Sequence, residues 1–470
     1  DRTGQKPLIY FKNEKGFVFC SELKILINLY RDILDIDTNQ ISHYLKFLHV
    51  SPNHTIFKNV NTVQPGEIII FENEKVQKNK YWKPIFEINR DKPYENLISN
   101  LKEKIDSSIA RHLISDVEVG AFLSGGLDSS IIVARASNFL KEKKIKTFSF
   151  GYNKNSELSD AKMISNLFDT DHFELNENDM KIADELLELS YFYDEPFADS
   201  ANISTYFLSK FASKYVKVCI GGDGGDELFG GYINWYDRYQ KYKKFVGKNN
   251  PKFLFSKYIS KIPVRLYKNS FFHRKFVDQY TLGDNFTSSY LCLRSHTSNE
   301  ILKLIGLNSN INLFEDIEVS ENHDEFDKIF ELDLKFYLPA DILNLKDKAT
   351  MATSLEMRSP FLDHEIIDLA LSIPQEFKFD NNTYKKILFD SYNQDLENII
   401  NQKQKQGFGG PIVEWLKRGD VKDLFNDIVL SKNNKMYDFL DFKNVKKISN
   451  TNNYTKWALL NLGIWFKTWF

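Results

Sequence analysis

The sequence predicts an α/β protein whose core is a parallel sheet, followed by a mainly helical C-terminal part. Strand-like and helix-like segments alternate between residues 117 and 220, the pattern of a parallel sheet with helices on both faces. Two glycine-rich segments directly follow strand-like segments, where α/β proteins place their ligands. Beyond about residue 228 strand patterns fade, and the sequence is helical and aromatic.

The first 85 residues have a different pattern of short strands and turns. Leu8–Phe11 and Phe17–Phe19 flank a polar stretch, which predicts a hairpin. A Pro-Gly turn precedes Ile68–Phe71, which predicts another strand. Prolines 84 and 93 bracket a plausible linker. We therefore expect a separate unit before the parallel sheet.

The sheet region is predicted from hydrophobic periodicity. Leucine and isoleucine recur every four residues from Leu97 to Leu113, which is typical of an amphipathic helix. The remaining predicted elements are strands over 117–123, 147–152 and 216–220 and helices over 127–140, 159–168 and 201–214.

The strongest functional signal is the loop Ser-Gly-Gly-Leu-Asp-Ser-Ser over residues 124–130, between a predicted strand and a predicted helix. Gly125 and Gly126 allow the backbone to approach an anion, and the amides at the helix N-terminus attract phosphate. Ser124 and Ser129 add hydroxyl donors, whereas Asp128 suits a magnesium ion shared with the phosphates. The loop lacks the lysine of a kinase-type phosphate loop.

A second constellation covers Gly221–Tyr232, with six glycines in twelve residues and three carboxylates in five positions. Ordering so many glycines is unfavourable, and the carboxylates repel one another unless a cation lies among them. A magnesium-linked phosphate site, with Asp226 as the partner of Asp128, fits this composition. A surface loop is the alternative.

Five segments, in this order, resemble the asparagine synthetase family. They are 124–130, Asp194–Ser200, Gly221–Tyr232, Ser354–His364 and Lys405–Phe408. The resemblance covers essentially the whole chain. It implies a synthetase domain of the ATP-pyrophosphatase (PP-loop) class over residues 86–470, with its nucleotide-binding core at about 95–235. Residues 1–85 resemble the late part of an α+β N-terminal-nucleophile (Ntn) glutaminase domain.

The resemblance implies a reaction and its co-substrates. ATP with Mg²⁺ would activate the side-chain carboxylate of aspartate as an aspartyl-adenylate, releasing pyrophosphate. Ammonia, free or derived from glutamine, would then displace AMP to give asparagine. Cysteine at position 1 is the nucleophile of the family's glutaminase domain, but here position 1 is Asp. We therefore expect a fragment or processed product that uses free ammonia.

Roles for individual residues also follow from the resemblance. The pyrophosphate portion would contact Ser124, Gly125, Gly126, Asp128 and Ser129, and Asp128 with Asp226 would bind Mg²⁺. Gly221 and Gly222 would lie along the nucleotide, and Phe122 and Phe150 near the adenine. Three residues would take catalytic roles: Asp223 in adenylate formation, Lys405 at the α-phosphate, and Glu356 in orienting other groups. For Glu356, a buried ion pair with Arg358 is the alternative.

Three departures from the family pattern concern the part of the site that would bind the carboxylate substrate, not the part that would bind ATP. Gly221 stands where many members have serine, Gln404 replaces a common proline, and Phe389 replaces an arginine usual a few residues after Lys385. A related enzyme that amidates another carboxylate, in polysaccharide or antibiotic assembly, therefore stays open. So does a catalytically inactive nucleotide-binding scaffold. His172 is expected to be structural rather than a catalytic base.

Composition limits the classes of partner. With 62 basic and 64 acidic side chains the net charge is −2, which does not favour nucleic acid or an acidic membrane. No apolar run reaches the length of a membrane span, and no secretory leader opens the sequence. The three scattered cysteines, Cys20, Cys219 and Cys292, are expected to be buried thiols. We expect a cytoplasmic protein that acts on small molecules, with a homodimer as the candidate assembly.

Overall fold

The parallel sheet predicted from the sequence is present in the computed structural model of the chain. The structure describes residues 1–14, 16–140, 143–152, 158–177, 181–246, 286–308, 319–320, 323–379, 383–396, 408–449 and 452–470. Within these ranges three sheets form, with five, three and two strands.

The three-stranded sheet lies near the N-terminus. Strands β1 (Ile9–Asn13) and β2 (Gly16–Cys20) pair antiparallel, with Ile9 opposite Cys20, and β3 (Val60–Thr62) pairs with the other edge of β1. The predicted hairpin is therefore confirmed. Helices α1 (Leu23–Tyr30) and α2 (Thr38–Phe47) follow.

A two-stranded ribbon follows the three-stranded sheet. It consists of β4 (Glu67–Glu72) and β5 (Lys75–Lys80). The predicted strand over residues 68–71 is thus confirmed, although Ile68 and Ile70 remain exposed.

The five-stranded sheet has the order β10-β9-β6-β7-β8, and all its neighbouring pairs are parallel. The strands are β6 (Val119–Phe122), β7 (Lys146–Gly151), β8 (Asp171–Asn176), β9 (Val218–Ile220) and β10 (Glu356–Arg358). From β6 the chain adds β7 and β8 on one side and then β9 and β10 on the other. The carboxyl ends of β6 and β9 therefore form a topological switch point, where such sheets bind ligands.

Strand β10 corrects the prediction that the sheet ends at about residue 228. It lies more than a hundred residues downstream and pairs Met357 with Cys219 of β9. Three residues are too few to show a period-two pattern, so this strand could not be predicted from hydrophobic periodicity. Strand β8 was likewise not predicted.

Helices cover both faces of this sheet, as predicted. They are α3 (Tyr94–His112), α4 (Leu127–Leu140), α5 (Leu158–Leu167), α6 (Ile182–Tyr193) and α7 (Ala201–Ala212). The repeating leucines and isoleucines of α3 are buried at Leu97, Leu101, Ile105 and Ile109. The period-four pattern therefore identified the packed face correctly.

The C-terminal part is helical, as expected. Its described helices are α8 (Gly225–Phe229), α9 (Ile233–Val246), α10 (Phe286–Arg294), α11 (Asn299–Leu304), α12 (Glu325–Leu332), α13 (Asn344–Met351), α14 (His364–Ser372), α15 (Gln375–Lys378), α16 (Lys386–Tyr392), α17 (Ile412–Trp415), α18 (Gly419–Val429), α19 (Phe442–Ile448) and α20 (Asn453–Trp469). A π-helical segment, Asp333–Leu343, joins α12 to α13 and contains Pro339.

The N-terminal residues share a core with the C-terminal helices. One buried cluster includes Ile9 and Tyr44 together with Trp457 and Trp465 of α20. The Tyr44 hydroxyl donates to the carbonyl of Ala458 at 2.7 Å. The N-terminal sheet therefore packs into the rest of the molecule.

Two of the predicted buried thiols lie in these cores. Cys20 and Cys219 are free and buried, and burial raises the pKa of both. The side chain of Cys292 lies outside the described residues.

No helix in the described part of the chain is both long and apolar enough to cross a lipid bilayer.

Candidate active site

A cleft of about 770 Å³ opens at the switch point of the five-stranded sheet. This size suits a small-molecule ligand. Eleven of the predicted site residues line the cleft. They are Phe122, Ser124, Gly125, Gly126, Asp128, Ser129, Phe150, Gly221, Gly222, Asp223 and Asp226.

The first loop connects β6 to α4 and is held by its own serines. Ser129 Oγ lies 3.0 Å from Ser124 Oγ and donates to the carbonyl of Gly126 at 3.1 Å. Gly125 has φ +76° and lies against α5, where an added Cβ would come within 2.6 Å of the Ala161 nitrogen. The serines and Gly125 thus fix the loop at the N-terminus of α4, where main-chain amides favour anions.

The second glycine-rich loop packs directly on the first. A Cβ at Gly222 would lie 2.7 Å from Cβ of Asp128, and one at Gly225 would lie 2.5 Å from Asp128 Oδ1. The glycines therefore do more than allow a ligand to approach. They bring Asp226 and Asp128 to one place.

The ammonium group of Lys385 lies between these two carboxylates. Lys385 Nζ pairs with Asp128 and lies 2.6 Å from Asp226 Oδ1. The lysine side chain is 3% exposed, and its backbone has φ +52°, a conformation that a non-glycine residue adopts at an energetic cost. Gly231 leaves room for the lysine, because a Cβ there would lie 2.6 Å from Lys385 Cε. The structure therefore builds a cation position between the two predicted metal ligands.

The donor set fits a magnesium ion that is bound together with phosphate. The described residues contain no group of three or more His, Cys, Asp or Glu side chains able to hold a metal by themselves. Mg²⁺, however, commonly uses one or two carboxylates and completes its shell with phosphate and water. Asp128 Oδ1 is buried without a hydrogen-bond partner among the described residues, so it can accept such an ion.

Two aromatic rings and one charged pair form the cleft wall beside the loop at residues 124–130. Phe122 and Phe150 are largely buried and line the cleft. Lys346 lies over the Phe122 ring at 5.5 Å, and its Nζ is 3.4 Å from Asp223 Oδ1. The sequence singled out Asp223, but not its lysine partner.

Of the predicted catalytic residues, Glu356 is not brought into the cleft. Glu356 does not line it, and on β10 the neighbouring Met357 faces the cleft instead. Glu356 Oε1 accepts from Arg358 Nε at 2.7 Å. The geometry therefore favours the ion-pair alternative, although the Glu356 side chain is 47% exposed rather than buried. Lys405 lies outside the described residues.

Asp194, Glu195 and His172 make contacts away from the cleft. Asp194 is buried and pairs with Lys348 at 2.8 Å, and Glu195 accepts the Ile56 amide at 2.7 Å. The first two residues of the Asp194–Ser200 segment thus contact the N-terminal region, whereas Asp199 and Ser200 line the cleft. His172 lies on β8 beside Thr147 at 2.9 Å and does not line the cleft, which agrees with the expected structural role.

Sequence comparisons place these features in a known family. A family model described as asparagine synthase matches residues 100–470, and a glutamine amidotransferase domain model matches residues 1–82. The chain is 31% identical over 452 residues to "Asparagine synthetase [glutamine-hydrolyzing] 1" of Bacillus subtilis, covering 94% of this chain and 70% of that protein.

The names of two further relatives include the word putative. A putative asparagine synthetase [glutamine-hydrolyzing] 2 of Methanocaldococcus jannaschii is 34% identical over 275 residues, covering 56% of this chain and 52% of the relative. A putative asparagine synthetase [glutamine-hydrolyzing] of Mycobacterium tuberculosis is 28% identical over 449 residues, covering 90% of this chain and 66% of that relative. The chain thus spans between about half and 70% of the length of these relatives.

Proposed function

The chain belongs to the asparagine synthase family, and from this premise we propose that it is an ATP-dependent ligase that converts L-aspartate to L-asparagine. The observation that carries the proposal is the cation position between Asp128 and Asp226, directly beside an anion-binding loop. The family's use of ATP fits this arrangement. A cation held there would supply the positive charge that the protein carboxylates and the phosphate groups of a nucleotide need in order to lie close together.

In the proposed first step an oxygen of the aspartate side-chain carboxylate attacks the α-phosphorus of ATP. The bond from that phosphorus to the pyrophosphate oxygen breaks, which gives an aspartyl-adenylate. The α4 N-terminus with Ser124 and Ser129 would hold the pyrophosphate. Mg²⁺, bound by Asp128 and Asp226, would neutralise charge that develops on the leaving group.

The aromatic wall and its charged pair would serve the other end of the nucleotide. Phe122 and Phe150 offer ring faces for the adenine, next to the backbone of Gly221 and Gly222. Asp223 and Lys346 lie on the same wall, and Lys346 can offset negative charge near the α-phosphate. Lys405 is proposed for the same task, on the family motif alone.

In the second step ammonia attacks the acyl carbon, the bond to the AMP oxygen breaks, and a proton is lost to leave the amide. We propose free ammonia as the nitrogen source of residues 1–470. Cys20 is the one cysteine within residues 1–82. It is buried in β2 with a raised thiol pKa, whereas a nucleophilic cysteine needs a lowered one.

The test is product formation by the purified chain. With ATP, Mg²⁺, isotopically labelled aspartate and ammonium, labelled asparagine and AMP should form in equal amounts. Glutamine at the same concentration should give at most a trace. Absence of asparagine with ammonium would contradict the synthetase assignment, and robust turnover with glutamine would contradict the nitrogen source.

Phe389 favours one alternative within the same chemistry. This residue stands where the family usually has arginine and lines the cleft, so the acceptor could be another carboxylate. Exchange of labelled pyrophosphate into ATP, measured with aspartate and with other carboxylic acids, separates the two. Exchange with none of them would support the inactive scaffold.

A further inference from the structure

Acidic side chains outnumber basic ones along the cleft. Among the described residues seven carboxylates line it, namely Asp128, Asp160, Asp199, Asp223, Asp226, Glu227 and Asp341. The cations that line it in the same part of the chain are Arg294, Lys346 and Lys385. A nucleotide brings further negative charge on its phosphates, and like charges at close range repel one another. Binding of a nucleotide therefore depends on how these carboxylates are neutralised.

Burial favours the neutral form of three of the carboxylates. It raises the pKa of Asp199 and of Asp341, and it raises the pKa of Glu227 to about 7. The two carboxylates proposed to bind magnesium share the ammonium group of Lys385. Neither burial of this kind nor Lys385 accounts for the charge of Asp223, which stands on the wall beside the loop at residues 124–130.

Asp223 has a single ion-pair partner in the part of the chain that the structure describes, Lys346. The Lys346 Nζ atom lies 3.4 Å from Asp223 Oδ1. The other oxygen of Asp223, Oδ2, is buried and accepts no hydrogen bond from the described residues. The remaining cations of the cleft are engaged elsewhere, Arg294 with Asp333 and Lys385 with the two candidate metal ligands. Lys346 therefore carries the neutralisation of Asp223.

The side chain of Lys346 is fixed by the groups around it. Its ammonium group lies 5.5 Å from the centre of the Phe122 ring and 6.0 Å from that of Phe408, where ring faces attract a cation. Its helix, α13, is anchored two residues later, because the buried ammonium group of Lys348 pairs with Asp194 at 2.8 Å. The Lys346 side chain is 21% exposed, so solvent screens its charge only in part. The lysine is therefore in place before any ligand binds.

We propose that Lys346 is the counter-ion of Asp223 and, through it, a positioning residue for the nucleotide. Its ammonium group cancels the charge of the Asp223 carboxylate, so that the phosphates can lie beside this part of the wall. The inference rests on the proposed function, because it concerns ATP in the same cleft. The competing arrangement is a direct contact between Lys346 and the phosphates, for which neutralising Asp223 would not make up for the loss of the lysine.

The test measures nucleotide binding without turnover. The probe is the magnesium complex of the α,β-methylene analogue of ATP, which cannot release pyrophosphate, and affinity is measured by calorimetry. Lys346→Met should weaken binding about 30-fold, since removing one partner of a charge pair leaves the other uncompensated. Adding Asp223→Asn to that variant should restore the affinity to within about 3-fold of the wild type. Lys346→Arg, which keeps the charge, should also stay within about 3-fold.

The control variant is Lys146→Met. Lys146 pairs with Glu118, has a similarly exposed side chain (23%) and does not line the cleft, so its loss should leave the affinity unchanged. A double variant that binds as weakly as Lys346→Met would overturn the inference in favour of a direct phosphate contact. Unchanged binding by Lys346→Met would overturn it as well.

If Lys346→Met does not fold, Asp223→Asn alone decides the question. It should bind the analogue at least as tightly as the wild type, because the charge of Lys346 is then unopposed, and weaker binding would overturn the inference. Failure of the proposed function is distinguishable from failure of this inference. A protein that shows the expected affinities but forms no asparagine would contradict catalysis and support the counter-ion role. Asparagine formation by the wild type, with no recovery of binding in the double variant, would contradict the counter-ion role alone.

Discussion

Replacing Lys385 with methionine should reveal the cation position between Asp128 and Asp226. The substitution keeps the length of the side chain and removes the charge that the two carboxylates share. Losing one partner of a buried ion pair typically costs about 3–5 kcal/mol. The two aspartate side chains are 15% and 14% exposed, so residual hydration places the expected loss near the lower end, about 3 kcal/mol.

Magnesium should recover most of this loss in the variant but not in the wild type. In Lys385→Met the ammonium no longer competes with Mg²⁺ for the carboxylates, and a metal at a hundred times its Kd stabilises the folded state by about 2.7 kcal/mol. In the wild-type protein without nucleotide the ammonium competes for the same oxygens. Its response to Mg²⁺ should therefore be below about 1 kcal/mol.

The assay is urea unfolding followed by tryptophan fluorescence, in EDTA and in MgCl₂. Lys102→Met is the matched control, because Lys102 pairs with Asp395 at 2.8 Å with both side chains about one-third exposed. It should cost less than about 1 kcal/mol in either buffer. The reasoning is refuted if Lys385→Met unfolds at the same urea concentration with and without Mg²⁺, or if its loss in EDTA matches that of the control.

Three other predictions test separate parts of the site. Asp128→Asn should lower AMP formation about 10³-fold or more while circular dichroism shows an intact fold, since it removes a proposed metal ligand; wild-type rates of pyrophosphate exchange would contradict this. Lys405→Ala should lower kcat far more than it raises the KM for ATP, and a change in KM alone would show a binding contact only. Burial raises the pKa of Glu227, which accepts from Tyr232, from 4.5 to about 7. The wild-type protein should therefore lose about 3 kcal/mol of stability relative to Glu227→Gln as pH rises from about 4.5 to 7, and parallel curves for the two proteins would argue against this.

The parts of the site that lie in continuous segments were predictable from the sequence. The loop at residues 124–130 and the segment Gly221–Tyr232 carry their chemistry in local patterns of glycine, serine and aspartate. Both follow strands whose apolar character was visible. The sequence therefore predicted which residues of these two loops line one cleft and that Asp128 and Asp226 lie close together.

The parts that depend on distant residues were not predictable. Lys385 reaches Asp128 across 257 positions, and no local pattern distinguishes it from the other lysines of a lysine-rich chain. Strand β10 is defined by its neighbour β9 rather than by its own three residues, so Glu356 could not be oriented from the sequence.

The core shared by the N-terminal sheet and helix α20 determines whether the two fragments of a proteolysed chain would dissociate. Ile9 and Tyr44 are buried in the same cluster as Trp457 and Trp465, although the residues between Pro84 and Pro93 form a connecting segment. A protease that cuts this connection would leave both pieces bound by the apolar surface that they bury together. The nicked protein would migrate as one species until denaturant separates its two pieces.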